Sequence, residues 1–184
     1  METCRTERLI LRPRGPADFE ACLEMDSDPE VIRYVGPPWS NEEEHRDFLR
    51  RRIEARYPPG LGYWSIFAKD DPTRFLGWVM LHPYSVAGAE VEIGWRLRRD
   101  AWGRGYATEA AAPVLAQGFA KADMTGIVAD IHPDNHGSIR VAEKIGLSFT
   151  GMVDHDGEAA RRYGIDRATF AARRAAAGAQ PNSK

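Results

Sequence analysis

Long apolar runs are missing from this sequence. No stretch approaches the roughly 20 residues that a bilayer-spanning helix needs, and the first residues lack the basic-then-apolar order of an export signal. The expectation is a protein with no membrane partner, working in the cytoplasm. Cysteine is almost absent: Cys4 and Cys22 form neither a metal-binding spacing nor a disulfide framework, which fits a reducing compartment. An excess of one charge is lacking as well. With 25 Lys and Arg against 27 Asp and Glu the net charge is −2, which speaks against a broad electrostatic footprint for nucleic acid. Lysine itself is rare, 4 residues against 21 arginines, but the arginines are spread along the chain rather than gathered into a patch. His132 and His136 are four apart, yet Pro133 and a strand end keep them off a common helical face, so no metal is expected. Neither an internal repeat nor a low-complexity linker is present.

What remains is the composition of one soluble domain, 184 residues with 43% hydrophobic and 28% charged, long enough to bury a sizeable core. The patterning predicts a domain over residues 1–177 and a loose tail over 178–184. Leu9-Ile-Leu11 reads as a first strand and residues 17–25 as a helix, with Cys22 on its apolar side. A short helix is expected over 28–34, and a longer one from Ser40 to about residue 56, opened by a capping box between Ser40 and Glu43. Strands follow at 63–68, 75–81 and 90–97, an antiparallel meander. A helix over 107–122 carries Pro113, which removes one backbone donor and bends it. A strand at 126–131, a helix from Asn135 closed by Gly146, two last strands at 147–153 and 161–167 and a short final helix complete the chain.

Two places carry chemistry. The first is Arg98-Arg-Asp-Ala-Trp-Gly-Arg-Gly-Tyr-Ala-Thr-Glu-Ala110, a glycine loop between a strand and a helix. Gly103 and Gly105 open backbone conformations closed to residues with a Cβ, and the helix start offers unpaired N–H groups and the positive end of a dipole. A phosphate group is the natural guest. The second is the strand Glu90-Val-Glu-Ile-Gly-Trp-Arg-Leu97, whose alternation sets Glu90, Glu92, Gly94 and Arg96 on one face. Gly94 marks a bulge or a close approach to the backbone, with Glu92 beside it. Further on, Asn135 reads as an N-cap and Ser138 as a second cap or a donor to a ligand.

These pieces, taken in order and spacing, resemble the GNAT acyl-CoA N-acyltransferases, and within them the RimJ/RimL branch of ribosomal-protein N-terminal acetyltransferases. The resemblance covers nearly the whole chain, from Thr6-Glu-Arg-Leu-Ile-Leu-Arg12 through Glu92-Ile-Gly-Trp95 and Trp102-Gly-Arg-Gly-Tyr-Ala-Thr-Glu-Ala110 to Asn135, Ser138 and Glu143-Lys-Ile-Gly146. It implies an α+β (α/β) GNAT fold: a mixed, mostly antiparallel central sheet, splayed between the strands at 90–97 and 126–131 and flanked by helices. It implies acetyl-CoA as cosubstrate and no metal. The diphosphate falls to Trp102, Gly103, Arg104, Gly105, Tyr106, Ala107 and Thr108, the thioester to the backbone of Ile93, Gly94 and Trp95, and the CoA arm to Asn135. Trp102 stands where the superfamily pattern has Gln or Arg. Ser138 stands where this branch places an acid for the departing thiol.

The implied reaction moves an acetyl group to a primary amine, either a protein N-terminus or a small molecule, in a monomer or homodimer. An α-amine has a pKa of about 7.7 to 8.0 and lysine about 10.4, so a base must collect a proton. Glu92 is the first choice, directly or through a water, with Asp130 and His132 as weaker candidates. A thiolate leaves readily, so neither cysteine is needed as a nucleophile. Tyr34, Trp39 and Trp64 are candidates to line the acceptor pocket. Two rivals stand beside this reading. One is a dinucleotide-binding oxidoreductase, suggested by Gly103-x-Gly105 but opposed by Thr108 in the third small position and by the antiparallel first half. The other is a CoA-binding regulatory module without turnover.

Overall fold

The computed structural model describes residues 2–35, 39–84, 90–121, 124–155 and 157–178, so most of the tail expected from 178 lies outside the described residues. Eight strands form a sheet in the order β1-β2-β3-β4-β5-β6-β8-β7. They are β1 (Cys4–Arg5), β2 (Leu9–Pro13), β3 (Gly62–Ala68), β4 (Phe75–Pro83), β5 (Glu90–Leu97), β6 (Gly126–Ile131), β7 (Ser148–His155) and β8 (Glu158–Asp166). Among the described residues five α-helices accompany them: α1 (Phe19–Asp26), α2 (Glu42–Glu54), α3 (Tyr106–Lys121), α4 (His136–Lys144) and α5 (Arg167–Gly178). The chain divides into two compact units, one of residues 1–82 and 93–122, the other of residues 83–92 and 123–184. β5 passes from the second into the first.

In the first unit β2, β3 and β4 pair antiparallel, and every residue of β3 is buried. Trp64, Ile66, Leu9, Leu11, Leu76 and Val79 are fully enclosed, the apolar mass on which the unit stands. α3 contributes a stripe of Ala110, Ala111, Val114, Leu115 and Phe119, buried on both sides of Pro113 as the 3.6-residue period requires. The sequence places the cap of α2 one residue early. Asn41, not Ser40, is the N-cap, accepting the N–H of Glu44, while Glu44 reaches back to the N–H and hydroxyl of Ser40. The helix expected over 28–34 is a chain of turns instead, with Val31 bonding back to Asp28 and Val35 to Ile32.

One irregularity governs the approach to the glycine loop. The β3/β4 register shifts between Ile66 and Phe67, and Gly77 opposite has φ 144. A Cβ on Gly77 would lie 2.1 Å from the carbonyl oxygen of Arg96, so β4 can pass the end of β5 only as glycine. The N–H of Arg98 then bonds the carbonyl of Leu76 at 2.9 Å, which fixes where β5 ends.

In the second unit β5 and β6 run parallel, paired over Glu90, Val91 and Glu92 against Gly126, Ile127 and Val128, the first three residues of each strand. β6 pairs antiparallel with β8, and β8 with β7 across a tight hairpin. α4 follows β6 and stops at Gly146, φ 97. Among the described residues no helix is long and apolar enough to cross a membrane.

Candidate active site

β5 leads through a single helical turn, Arg99–Ala101, into the loop that precedes α3. Gly103 has φ 71 and Gly105 φ 78. A Cβ on Gly103 would meet nothing within 4 Å, so the demand here is conformational, and the space beside it stays open. Residues 102 to 105 are exposed. The N–H of Trp102 bonds the carbonyl of Arg99, and the N–H of Glu109 that of Gly105 at 3.0 Å. Between these two, among the described residues, the amides of 103 to 108 have no backbone acceptor. Six consecutive donors at the head of a sixteen-residue helix are the kind of arrangement to which anions bind.

Trp102 is fastened rather than free. Its ring N–H donates to the carbonyl of Leu97 at 2.8 Å, so the indole ties the start of the loop to the end of β5 while remaining 45% exposed. Gly94 lies inside β5, and the space of its missing Cβ is filled by Met80, whose Cε would stand 2.7 Å from it. A register shift lies nearby, between β3 and β4, where Gly77 has φ 144. Arg96 belongs to a buried group: its Nη1 donates to Asp26 at 2.9 Å, and His45 Nε2 approaches the other oxygen of Asp26 at 3.5 Å.

The three aromatics proposed for the acceptor pocket separate. Trp64 is wholly buried and its indole N–H is taken by the carbonyl of Glu2, which makes it core and corrects its placement in a pocket. Trp39 is half-buried, stacked on His45 with ring centroids 4.0 Å apart. Tyr34 is half-buried under Arg33.

In the second unit Glu92 is half-buried at the last paired residue of β5, opposite Val128. Asn135 is the N-cap of α4, its Oδ1 accepting the N–H of Ser138 at 3.0 Å, and Ser138 is half-buried in the first turn. His132 accepts the N–H of Asp134 at its Nδ1. The sequence does not foretell what surrounds Asp130. Its side chain is wholly buried, with Arg162 donating from Nε at 2.9 Å and from Nη2 at 2.8 Å, and Tyr84 from its hydroxyl at 2.7 Å. His155 lies 3.6 Å away. Burial opposes the charged carboxylate, but the hydrogen bonds of Arg162 and Tyr84 outweigh it and hold Asp130 below the usual carboxylate range. A carboxyl so loaded is a weaker proton acceptor than a free one. Burial, the bond to Asp130 and the nearby charges of Asp130 and Glu92 push the Tyr84 hydroxyl up to about 12. Tyr84 therefore stays a neutral donor at any physiological pH.

Comparison with known proteins comes out on one side. Residues 8–148 match the family model described as acetyltransferase (GNAT) domain. The uncharacterised N-acetyltransferase p20 of Bacillus licheniformis is 29% identical over 167 residues, 90% of this chain and 93% of that protein. A GNAT-family acetyltransferase of Bacillus anthracis superposes with a TM-score of 0.75 at 28% identity, covering 90% of this chain and 99% of its own. RimL, a ribosomal L7/L12 α-N-protein acetyltransferase solved in complex with coenzyme A, shares the fold with a TM-score of 0.72 at 16% identity, over 90% of this chain and 98% of its own.

Proposed function

This chain belongs to the GNAT acetyltransferase family, an acyltransferase acting on an amine, and from that premise we propose how its own residues divide the work. Acetyl-CoA is the cosubstrate, and its diphosphate is held by the amides of 103 to 108. The observation that carries this reading is that row of uncapped donors behind two glycines of positive φ. A primary amine attacks the thioester carbonyl, and the C–S bond breaks in favour of the new C–N bond. The electron pair leaves on sulfur and the amine gives up one proton, so the products are an N-acetyl amine and the free thiol of CoA.

Glu92 collects the amine proton, directly or through a water, and Ser138 returns one to the thiolate. The backbone of Ile93, Gly94 and Trp95 polarises the carbonyl, as N–H donors at a developing oxyanion do. Asn135, beyond capping α4, holds the CoA arm. Tyr34 and Trp39 face the acceptor, a protein N-terminal α-amine as in the RimJ/RimL branch or a small-molecule amine. Residues 1–177 act as one catalytic domain in the cytoplasm, as monomer or homodimer.

Thermal unfolding with acetyl-CoA and with NAD tests the cosubstrate. A ligand at a hundred times its dissociation constant stabilises by about 2.7 kcal/mol, so acetyl-CoA raises the midpoint and NAD leaves it where it was. The reverse result restores the oxidoreductase. Free-thiol release across a panel of amines then identifies the acceptor. Glu92→Gln loses turnover and keeps CoA binding; unchanged turnover takes the base role from Glu92.

A further inference from the structure

Glu109, in the first turn of α3, is gripped by residues 101 and 103 positions upstream in the chain. One oxygen accepts the hydroxyl of Thr6 at 2.6 Å and the backbone N–H of Arg8 at 2.8 Å. The other accepts Arg8 Nε at 2.7 Å and stands 2.6 Å from Nη2. Burial works against the charge on Glu109, but these hydrogen bonds prevail and hold its carboxyl below the usual range. The remaining arm of the same guanidinium, Nη1, donates to the carbonyl of Arg104 at 3.0 Å, inside the glycine loop. Arg8 also lies over the ring of Tyr106, 4.7 Å from its centroid, and its Nη2 would be 3.5 Å from a Cβ on Gly105.

An isolated surface ion pair contributes little. This one is different because a single planar fork spans a helix carboxylate and a loop carbonyl, and so fixes an orientation. The peptide between Arg104 and Gly105 is trans, which sets its carbonyl and its N–H on opposite sides. With the carbonyl turned to Arg8, the N–H of Gly105 points away from Arg8.

We propose that Arg8, clamped by Glu109 and Thr6, is a positioning residue for the cosubstrate: it turns the Arg104–Gly105 peptide so that its N–H is presented to the diphosphate. The inference rests on the reading that this loop grips the diphosphate of acetyl-CoA. Its rival is a direct role, in which the Arg8 charge attracts phosphate and Glu109 merely offsets it.

The two roles give opposite signs for one variant. Isothermal titration of CoA into wild type, Arg8→Gln, Glu109→Gln and the double variant separates them. Positioning predicts that Arg8→Gln weakens CoA binding about tenfold, the scale of a lost charge-assisted hydrogen bond, and that Glu109→Gln weakens it too. The double variant is then no worse than Arg8→Gln alone, as expected of one linked unit. Arg8→Lys, which keeps the charge and the fold but cannot span both acceptors, falls between wild type and Arg8→Gln. In the ligand-free proteins, deuterium uptake over 109 to 112, the first hydrogen-bonded amides of α3, speeds up in each variant while the unfolding midpoint moves by only a few degrees. Tighter CoA binding by Glu109→Gln, an affinity of Arg8→Gln within about twofold of wild type, or unchanged uptake over 109 to 112 overturns the proposal. Absence of CoA binding by wild type, with uptake still faster in the variants, sinks the acetyl-CoA reading and leaves the clamp on the loop standing.

Discussion

The loop at 102–108 and the cluster around Asp130 are both polar, and they meet the demands of polarity in opposite ways. The loop leaves the amides of 103 to 108 without a backbone acceptor, and glycine supplies a backbone that side-chain-bearing residues avoid. The Asp130 cluster answers every oxygen, with a guanidinium and a phenol closed on a wholly buried carboxylate. An unanswered donor costs little in water and is available to a ligand. A buried carboxylate without partners is costly, so it is found already paired. The first arrangement suits a ligand, and the second ties β6, β8 and the residue after β4 together.

The sharpest way to break this contrast is to strip the cluster. Asp130→Ala leaves the Arg162 guanidinium without its carboxylate, and the expected loss is about 3 kcal/mol of unfolding free energy in urea. A loss under about 0.5 kcal/mol, the range of an ordinary surface substitution, would mean that the cluster is no such tie. Stripping the loop should do the reverse. Gly103→Val forces a β-branched residue to φ 71, at a position where an added Cβ meets nothing within 4 Å. CoA affinity is expected to fall about a hundredfold with a small change in melting temperature.

Acid sharpens the comparison further. The folded-state pKa of Asp130 is depressed, so its contribution to stability is fully present above the ordinary carboxylate value of 3.8 and is lost as pH falls through the lowered one. Glu109 follows the same sign below its ordinary 4.5. Urea midpoints measured downward from pH 5 should fall for wild type, and less steeply for Asp130→Asn. Equal slopes would count against the pairing. The smallest effect belongs to the tie at the head of the loop. Trp102→Phe keeps an aromatic face and loses the hydrogen bond to Leu97, which should cost about 1 kcal/mol of stability and a few-fold in CoA affinity.

How much of this the sequence discloses depends on separation along the chain. The glycine loop, α3 with its bend-tolerant stripe, β5, β6 and the Gly146 stop are all legible, because each is written in residues a few positions apart. So is the cap role of Asn135, three residues from the N–H it accepts. What escapes is the pairing of distant side chains. Thr6 and Arg8 are visible as part of a short motif, but nothing local names Glu109 as their partner. Asp130 is visible as a strand-end carboxylate, but its partners Arg162, 32 positions on, and Tyr84, 46 positions back, are not. Trp64 is misplaced for a related reason. An aromatic in an alternating strand looks half-exposed, and only the covering of β3 on both faces buries it.

Pro113 lends the Arg8 clamp a practical weight. A proline at that position gives the carbonyl of Glu109 no N–H from the next turn, so the leading turn of α3 is coupled to its own helix by one bond fewer. It is coupled instead, through Glu109, to Thr6 and Arg8. A fusion tag or bead linkage placed ahead of Thr6 therefore pulls on the turn that leads α3 out of the loop, and immobilised or tagged enzyme should be prepared with that in mind.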